Sequence, residues 1–357
     1  AWVDQTNDPE ATLRNSADAR AMQLKTGIKT GRSILYLGCL AEDPPEATTL
    51  LGDIVTNRTY DEAKFKPEAK SNVQGWELGE KDPPTVRRRA VFDLTFSETD
   101  PRQLDRAPYE LPVRDSEALA DLRDRMLKTP GRYVAFAGDL TLDQAREFAT
   151  GLLPAADPSL AWTEQSVEPL LERSARHVVP LANTAQAYLD YFQLGPTTGD
   201  SHYPAWLLAQ HVLGGHSYSR ISVALRHEGG DTYSASSYSS VDHSSKPAGL
   251  VTFTRADNLE ATEQKLKDTL ATFHAEGITA EELDEAVRYF RGKALMRTQT
   301  PEQLLISTMY NLGNDKPIDW HVKDPAPMEQ LTLDEVNAVI REHFDPADFT
   351  MVVVVPE

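Results

Sequence analysis

The second half of the chain shows a regular succession of strand-like and helix-like hydrophobic patterns. Residues 185–194 (AQAYLDYFQL) alternate in the way that is typical of a strand. Further strands are predicted at 232–241, 250–255 and 349–355, and helices at 203–213, 219–226, 259–276, 279–297 and 333–344. Thr279 and Glu282 have the spacing of a capping box at the start of their helix.

The first half repeats the later part of this order. The pattern predicts a strand at 33–40, helices at 45–57, 61–79, after Asp82 and at 116–127, and a strand at 133–137. Segment 117–139 thus parallels 335–355, each with a helix, a proline corner and a terminal strand. Roughly 70 residues of the second half precede the matching strand, but only 32 of the first half do.

These patterns predict an α+β protein with two similar α/β-sandwich domains, each a mixed or antiparallel sheet flanked by helices. The first repeat, residues 1–152, is expected to lack its opening strand–helix unit. Residues 178–357 form the second repeat. Residues 153–177, which contain Pro154, Pro158 and Pro169, are interpreted as a linker.

The charge and composition of the chain limit the kinds of molecule that are expected to bind it. The 357 residues include 36 Lys and Arg against 55 Asp and Glu, a formal net charge of −19. Such a chain repels phosphate backbones and anionic lipid, so nucleic acid and membrane surfaces are not expected partners, whereas a basic peptide or a basic partner protein fits. The alternative, that the acidic excess only maintains solubility, stays open. No apolar run approaches the roughly 20 residues of a spanning helix. Cys39, the single cysteine, lies in an apolar stretch and is expected to be buried.

One stretch carries the most specific motif. Residues 213–221 read Leu-Gly-Gly-His-Ser-Tyr-Ser-Arg-Ile, and residues 225–234 read Leu-Arg-His-Glu-Gly-Gly-Asp-Thr-Tyr-Ser. This stretch resembles the C-terminal domain of pitrilysin/insulinase-type metallopeptidases. The Asp-Pro-Pro run at Asp82 and the Gly-Asp pair at Gly138 also fall in that family's order.

The resemblance implies a role for two side chains. In that family an Arg and a Tyr seven residues later hold the peptide substrate and polarise its scissile carbonyl, at a zinc site on a different domain pair. Arg226 and Tyr233 have this spacing and are the predicted substrate-binding residues. Gly229 and Gly230 would let the loop bend so that a helix-borne Arg226 meets a strand-borne Tyr233. Gly214 and Gly215, which end the preceding helix, are assigned to the same loop support.

The zinc motif of the family is not found in this sequence. None of the nine histidines belongs to a His-x-x-Glu-His or His-Glu-x-x-His arrangement, and residues 339–343 (VIREH) lack the first His. The family's third ligand, a glutamate eight residues before a turn proline, corresponds to Gly75, with Glu77 and Glu80 nearby on an expected solvated face. The sequence therefore predicts no catalytic and no metal-binding residue here, with zinc expected in a partner subunit.

The leading hypothesis is a non-catalytic, substrate-binding subunit of a heteromeric zinc metallopeptidase that is inactive alone. Its partners would be a zinc-binding subunit of the same fold and a peptide. Two alternatives stay open: a scaffold protein of this fold with no peptidase role, and a C-terminal fragment of a larger active peptidase. By analogy with paired bacterial members of the family, the periplasm is the expected compartment.

Overall fold

The computed structural model describes residues 13–29, 32–56, 62–98, 100, 103, 115–161, 170–240, 244–313, 316–320 and 325–357. Outside the described residues lie positions 57, 61 and 241, at which predicted elements end or begin, and residues 162–169 of the predicted linker. The chain divides into two compact units. Unit 1 consists of Ala1–Trp76, Arg106–Ser166 and Thr298–Ile318, and unit 2 of Glu77–Asp105, Val167–Arg297 and Asp319–Glu357. The predicted repeats and linker stay a prediction, because compact units do not by themselves identify repeats.

The helices and strands of the described residues follow in chain order. The helices are α1 Leu13–Asp18, α2 Pro44–Thr56, α3 Glu62–Gly79, α4 Pro83–Thr95, α5 Ser116–Lys128, α6 Leu142–Ala149, α7 Tyr203–Gly214, α8 Arg220–Ser222, α9 Leu259–Glu276, α10 Ala280–Met296, α11 Pro301–Leu312, α12 Pro325–Glu329 and α13 Leu333–His343. The strands are β1 Gln23–Lys29, β2 Arg32–Gly38, β3 Arg176–Leu181, β4 Gln186–Leu194, β5 Ala235–Ser239, β6 Pro247–Arg255 and β7 Thr350–Pro356.

Most predicted elements are present within one to three residues, including the capping box of α10, where Thr279 and Glu282 exchange hydrogen bonds. The strand predicted at 133–137 is wrong. That segment is not in a strand, and Tyr133 and Val134 are 46% and 41% exposed. β1 was not predicted, because its sequence Gln-Leu-Lys-Thr-Gly-Ile-Lys is mostly polar. Cys39 is exposed rather than buried, since it follows the end of β2.

Unit 2 is built on a five-stranded sheet in the order β3-β7-β4-β6-β5. β3 runs parallel to β7, while the other neighbouring strands are antiparallel. This is the mixed sheet flanked by helices that the hydrophobic pattern predicts, and the predicted fold class is confirmed. In unit 1, β1 and β2 form an antiparallel pair.

Both faces of the unit 2 sheet are covered, and the alternation along the strands shows how. Met351 and Val353 of β7 join the larger core, with residues of α7, α9, α10 and α13. Val352, between them, joins Phe92 of α4 on the opposite face. Period-two alternation in a strand sends successive side chains to opposite faces, so β7 contributes to both cores.

α4 is also attached to the sheet through a buried polar group. Asp190 of β4 lies 3.5 Å from Arg87 Nε and accepts a 3.0 Å hydrogen bond from the Tyr238 hydroxyl. Burial raises the pKa of the Asp190 carboxyl to about 7, against the opposing attraction of Arg87. α4, which comes early in the sequence, is therefore part of the layer behind the second-half sheet.

Among the described residues, no helix has both the length and the apolar composition needed to cross a membrane.

Candidate substrate-binding site

Arg226 lies in an unusual stretch of helix. The short helix α8 continues directly into a π-helical segment, Val223–Glu228. Leu225 is fully buried in the core of unit 2, while Arg226 on the next position is exposed. The sequence predicted an ordinary helix over 219–226, but the wider turn is what the structure has. π-helical turns are rare and occur frequently at functional sites.

Tyr233 approaches Arg226 after a tight reversal of the chain. The guanidinium carbon Cζ of Arg226 lies 5.2 Å from the centroid of the Tyr233 ring, within the range of a cation–π contact. Tyr233 is 77% exposed, so its hydroxyl and the guanidinium both face solvent. The structure thus brings the two predicted residues together. Tyr233 is not strand-borne as predicted, because β5 begins only at Ala235.

Asp231 fixes the loop between these two residues. Its amide donates to the Leu225 carbonyl at 2.9 Å, and its carboxylate accepts from Lys265 Nζ at 2.5 Å and from Asn258 Nδ2 at 2.8 Å. Thr254 Oγ1 donates to the Asp231 carbonyl at 2.8 Å. Burial by itself raises the pKa of Asp231, but the hydrogen bonds from Lys265 and Asn258 outweigh it and lower the pKa. The loop is therefore held by an ionised aspartate, and each of its two carboxylate oxygens accepts a hydrogen bond.

The four predicted loop-supporting glycines have different reasons to be glycine. Gly230 has φ +63°, in the left-handed region that costs other residues about 1–2 kcal/mol. A Cβ on Gly214 would stand 2.5 Å from the Ser237 amide nitrogen, and one on Gly215 would stand 2.5 Å from His211 Nδ1. A Cβ on Gly229 would collide with the Asp231 carboxylate. A Cβ would therefore not fit at Gly214, Gly215 and Gly229, whereas Gly230 has open space around it and is favoured by its backbone conformation alone.

Arg220 of the same motif has a different role from Arg226. Its Nε and Nη2 donate to the two carboxylate oxygens of Glu282 at 2.7 and 2.8 Å, and Nη2 also contacts the Gly277 carbonyl. This bidentate pair ties the start of the motif to the first turn of α10. Arg220 is thereby engaged within unit 2, which leaves Arg226 as the exposed arginine of the motif.

The residues considered as zinc ligands lie in or next to α3 and around the end of α7. Gly75 lies in α3, and Glu77 and Glu80 are exposed, as expected for a solvated helix face. His211 and His216 would point to different faces of one continuous helix, but α7 ends between them and their ring centroids are 4.8 Å apart. Burial, together with His216 and Lys293, lowers the pKa of His211 to about 4, and the ring stacks on Tyr289 at 4.1 Å. These residues do not form the family's site.

The sequence did not predict one cluster of possible ligands. His202 lies beside Glu342 and His343, and this is the single group of three or more His, Cys, Asp or Glu side chains with ligand-like spacing in the described residues. Residues 339–343 lack the first histidine of a His-x-x-Glu-His motif, so the local sequence does not indicate a metal site there. His202 lies 141 positions from His343, so no local spacing could reveal it.

The comparisons with known proteins agree with this architecture. A family model described as "Peptidase M16 inactive domain" matches residues 115–290. The "Uncharacterized zinc protease YmxG" of Bacillus subtilis is 24% identical over 340 residues, covering 90% of this chain and 78% of that protein. The "Non-peptidase homolog YmxG" of Helicobacter pylori is 24% identical over 227 residues, covering 62% of this chain and 51% of that protein.

A solved structure shows the same fold. The peptidase M16 inactive domain from Pseudomonas fluorescens superposes with a TM-score of 0.82 at 20% identity, covering 100% of this chain and 86% of that chain. The motif around Arg226, the mixed sheet and the matched family model point the same way. The family that the motif resembles is thereby confirmed: residues 115–290 match the domain that is described as inactive in the M16 peptidases, the pitrilysin/insulinase-type family.

Proposed function

We propose that this chain is a non-catalytic subunit of a heteromeric zinc metallopeptidase and that it binds the peptide substrate through Arg226 and Tyr233. The observation that carries the proposal is the contact between these two exposed side chains, 5.2 Å from guanidinium carbon to ring centroid. A loop bonded through Asp231 presents both of them to solvent. Because both side chains are exposed, they are available to bind a ligand or a partner protein.

The residue types fit the work proposed for them. The guanidinium is a planar fork of donors that grips a carbonyl in a fixed orientation. A tyrosine hydroxyl donates a hydrogen bond to the negative oxygen that develops when a peptide carbonyl is attacked. Zinc on the partner subunit would activate the attacking water. This chain would contribute orientation and a donor, and the partner the metal.

The net charge of −19 supports a basic peptide or a basic face on the partner. The name of the Helicobacter pylori relative, a non-peptidase homolog, supports a non-catalytic role. That name suits a scaffold protein of this fold equally well, but a scaffold has no need of an exposed Arg226–Tyr233 pair. The periplasm remains the proposed compartment.

Reconstitution tests the proposal. The purified chain, its zinc content measured, is mixed with a subunit of the same fold and source that carries the His-x-x-Glu-His motif. Cleavage of a pool of unfolded peptides is followed for each subunit alone and for the mixture. We expect cleavage in the mixture and none by this chain alone.

Other results of this assay would contradict the proposal or favour one of the two alternatives. Stoichiometric zinc together with cleavage by the lone chain would overturn the non-catalytic assignment. A stable complex that cleaves nothing, or one no more active than the zinc subunit alone, would favour the scaffold alternative. If the zinc subunit proves to be encoded in one longer polypeptide with this chain, the fragment alternative holds, and the same assay on the full polypeptide tests the pair.

A further inference from the structure

A cluster of two histidines and a glutamate lies in unit 2, outside the Arg226 loop. His202 Nδ1 is 3.3 Å from His343 Nε2 and 3.5 Å from a carboxylate oxygen of Glu342. His343 Nε2 is 3.7 Å from the other oxygen of the same carboxylate. One ligand atom from each of the three side chains therefore lies within 4.8 Å of the other two.

The spacing of these donor atoms is close to that of neighbouring ligands on a zinc ion. Zinc binds histidine nitrogen and carboxylate oxygen at about 2.0–2.2 Å, which places neighbouring ligand atoms of a tetrahedron about 3.3–3.6 Å apart. The separations of 3.3 Å between the histidine nitrogens and 3.5 Å from His202 Nδ1 to Glu342 already lie in this range. His343 Nε2 faces the other oxygen of Glu342 at 3.7 Å, so the carboxylate has to turn for one oxygen to serve beside both histidines. An ion bound by the three side chains would keep a fourth position for water.

The backbone on both sides of the cluster is anchored. The His202 amide donates to Asp200 Oδ1 at 2.8 Å at the start of α7, and Gln193 Nε2 donates to the His343 carbonyl at the end of α13. The fully buried rings of Trp206, in the first turn of α7, and Phe344, next to His343, stack with centroids 6.3 Å apart. The donors are thus held near one another before any ion binds, which lowers the cost of ordering them.

The surroundings suit a cation from solution. The side chains of His202, Glu342 and His343 are 41%, 58% and 23% exposed, so an ion can reach them from solvent. His343 is the last residue of α13, where the helix dipole favours positive charge. Two imidazoles and one carboxylate form a set that suits zinc and its neighbours rather than calcium or magnesium, which prefer oxygen.

We infer that His202, Glu342 and His343 form a binding site for one divalent transition-metal ion of the zinc type. The site lies in this chain and does not depend on the proposed peptidase role. It is distinct from the family's His-x-x-Glu-His centre because two of its ligands are adjacent in sequence at the end of α13 and the third, His202, immediately precedes α7. Without an ion, the same contacts reduce to a histidine–histidine hydrogen bond with a carboxylate beside it.

Zinc titration of the full chain separates these two states. The chain is stripped with a chelator and titrated with zinc chloride against a chromophoric chelator, and then with cobalt, whose visible absorption reports tetrahedral ligation. We expect one ion per chain. His202→Asn and His343→Asn should each weaken binding by at least about 100-fold, the upper end of what the loss of even an outer-shell partner costs.

Two variants serve as controls. Glu342→Gln keeps the shape of a side chain that is 58% exposed, so weaker binding by this variant with an unchanged circular dichroism spectrum cannot be attributed to misfolding. His274→Asn removes a histidine of the same unit whose ring nitrogen contacts the Arg341 carbonyl, outside the cluster. It should leave zinc affinity unchanged. Absence of zinc binding, or affinity unaltered by the three cluster variants, would overturn the site.

Discussion

Tyr233→Phe is expected to lower the kcat of the reconstituted peptidase by about 10² to 10³-fold, the cost of removing one oxyanion donor in other hydrolases. The phenyl ring keeps the contact with the Arg226 guanidinium, 5.2 Å away in the structure, so only the hydroxyl is lost. An interaction made mainly in the transition state changes kcat and leaves KM nearly constant. The measurement is steady-state cleavage of one fluorogenic peptide by the complex, at constant zinc-subunit concentration.

Tyr218→Phe is the matched control for this prediction. Tyr218 is 76% exposed, against 77% for Tyr233, and its ring stacks on His227 at 5.1 Å, a contact that phenylalanine retains. It lies in the same motif but is not assigned to the substrate. An equal loss of kcat for both variants, or no loss for Tyr233→Phe, would contradict the oxyanion role.

Arg226→Ala is expected to act differently from Tyr233→Phe. It removes a substrate contact present before and during the reaction, and it also removes the cation that holds the Tyr233 ring. KM should therefore rise and kcat should fall. Arg226→Lys should keep only part of the wild-type kcat and only part of the substrate affinity, because an ammonium lacks the planar fork of donors that a guanidinium has. Arg255→Ala, at a side chain that is 77% exposed, is the matched control and should change neither constant.

The Arg226–Tyr233 pair could be predicted because the motif resembles that of the pitrilysin/insulinase-type family, which has an Arg and a Tyr at this spacing. A helix, a glycine-rich reversal and an aromatic residue within eight positions can meet only if the loop turns back, and Gly229 and Gly230 mark that turn. The capping box of α10 was predictable from the spacing of its two residues. In both cases, the residues that interact lie within one or two turns of the chain.

What the sequence did not predict depends on contacts between distant residues. The π-helical turn that presents Arg226 has no distinctive composition, since Val-Ala-Leu-Arg-His-Glu is equally typical of an α-helix. The placement of α4 behind the second-half sheet rests on Phe92 meeting Val352, far apart in sequence. The cluster of His202 with His343 is a third example. Only tertiary packing brings these residues together.

Gly214→Ala is expected to destabilise unit 2 by about 3 kcal/mol, the upper part of the range for overpacking a core. The new Cβ would stand 2.5 Å from the Ser237 amide nitrogen and 2.7 Å from its Cβ, and a paired strand cannot move aside as a flexible side chain can. Separating α7 from β5 would also weaken the hydrogen bonds from Gln210 Nε2 to the Tyr238 carbonyl and from Ser237 Oγ to the Gln210 carbonyl. Urea unfolding followed by circular dichroism measures the change.

Gly292→Ala gives the opposite expectation and serves as its control. Gly292 lies inside α10 with open space where a Cβ would stand, so alanine should stabilise the chain by about 0.5–1 kcal/mol through lower backbone entropy of the unfolded state. Because β5 begins two residues after Tyr233, Gly214→Ala should also displace Tyr233 and lower peptide cleavage by the complex, whereas Gly292→Ala should not. If both alanines stabilise the chain, then α7 and β5 do not approach as closely as the Gly214 contacts require, and the glycine pair does not support the loop.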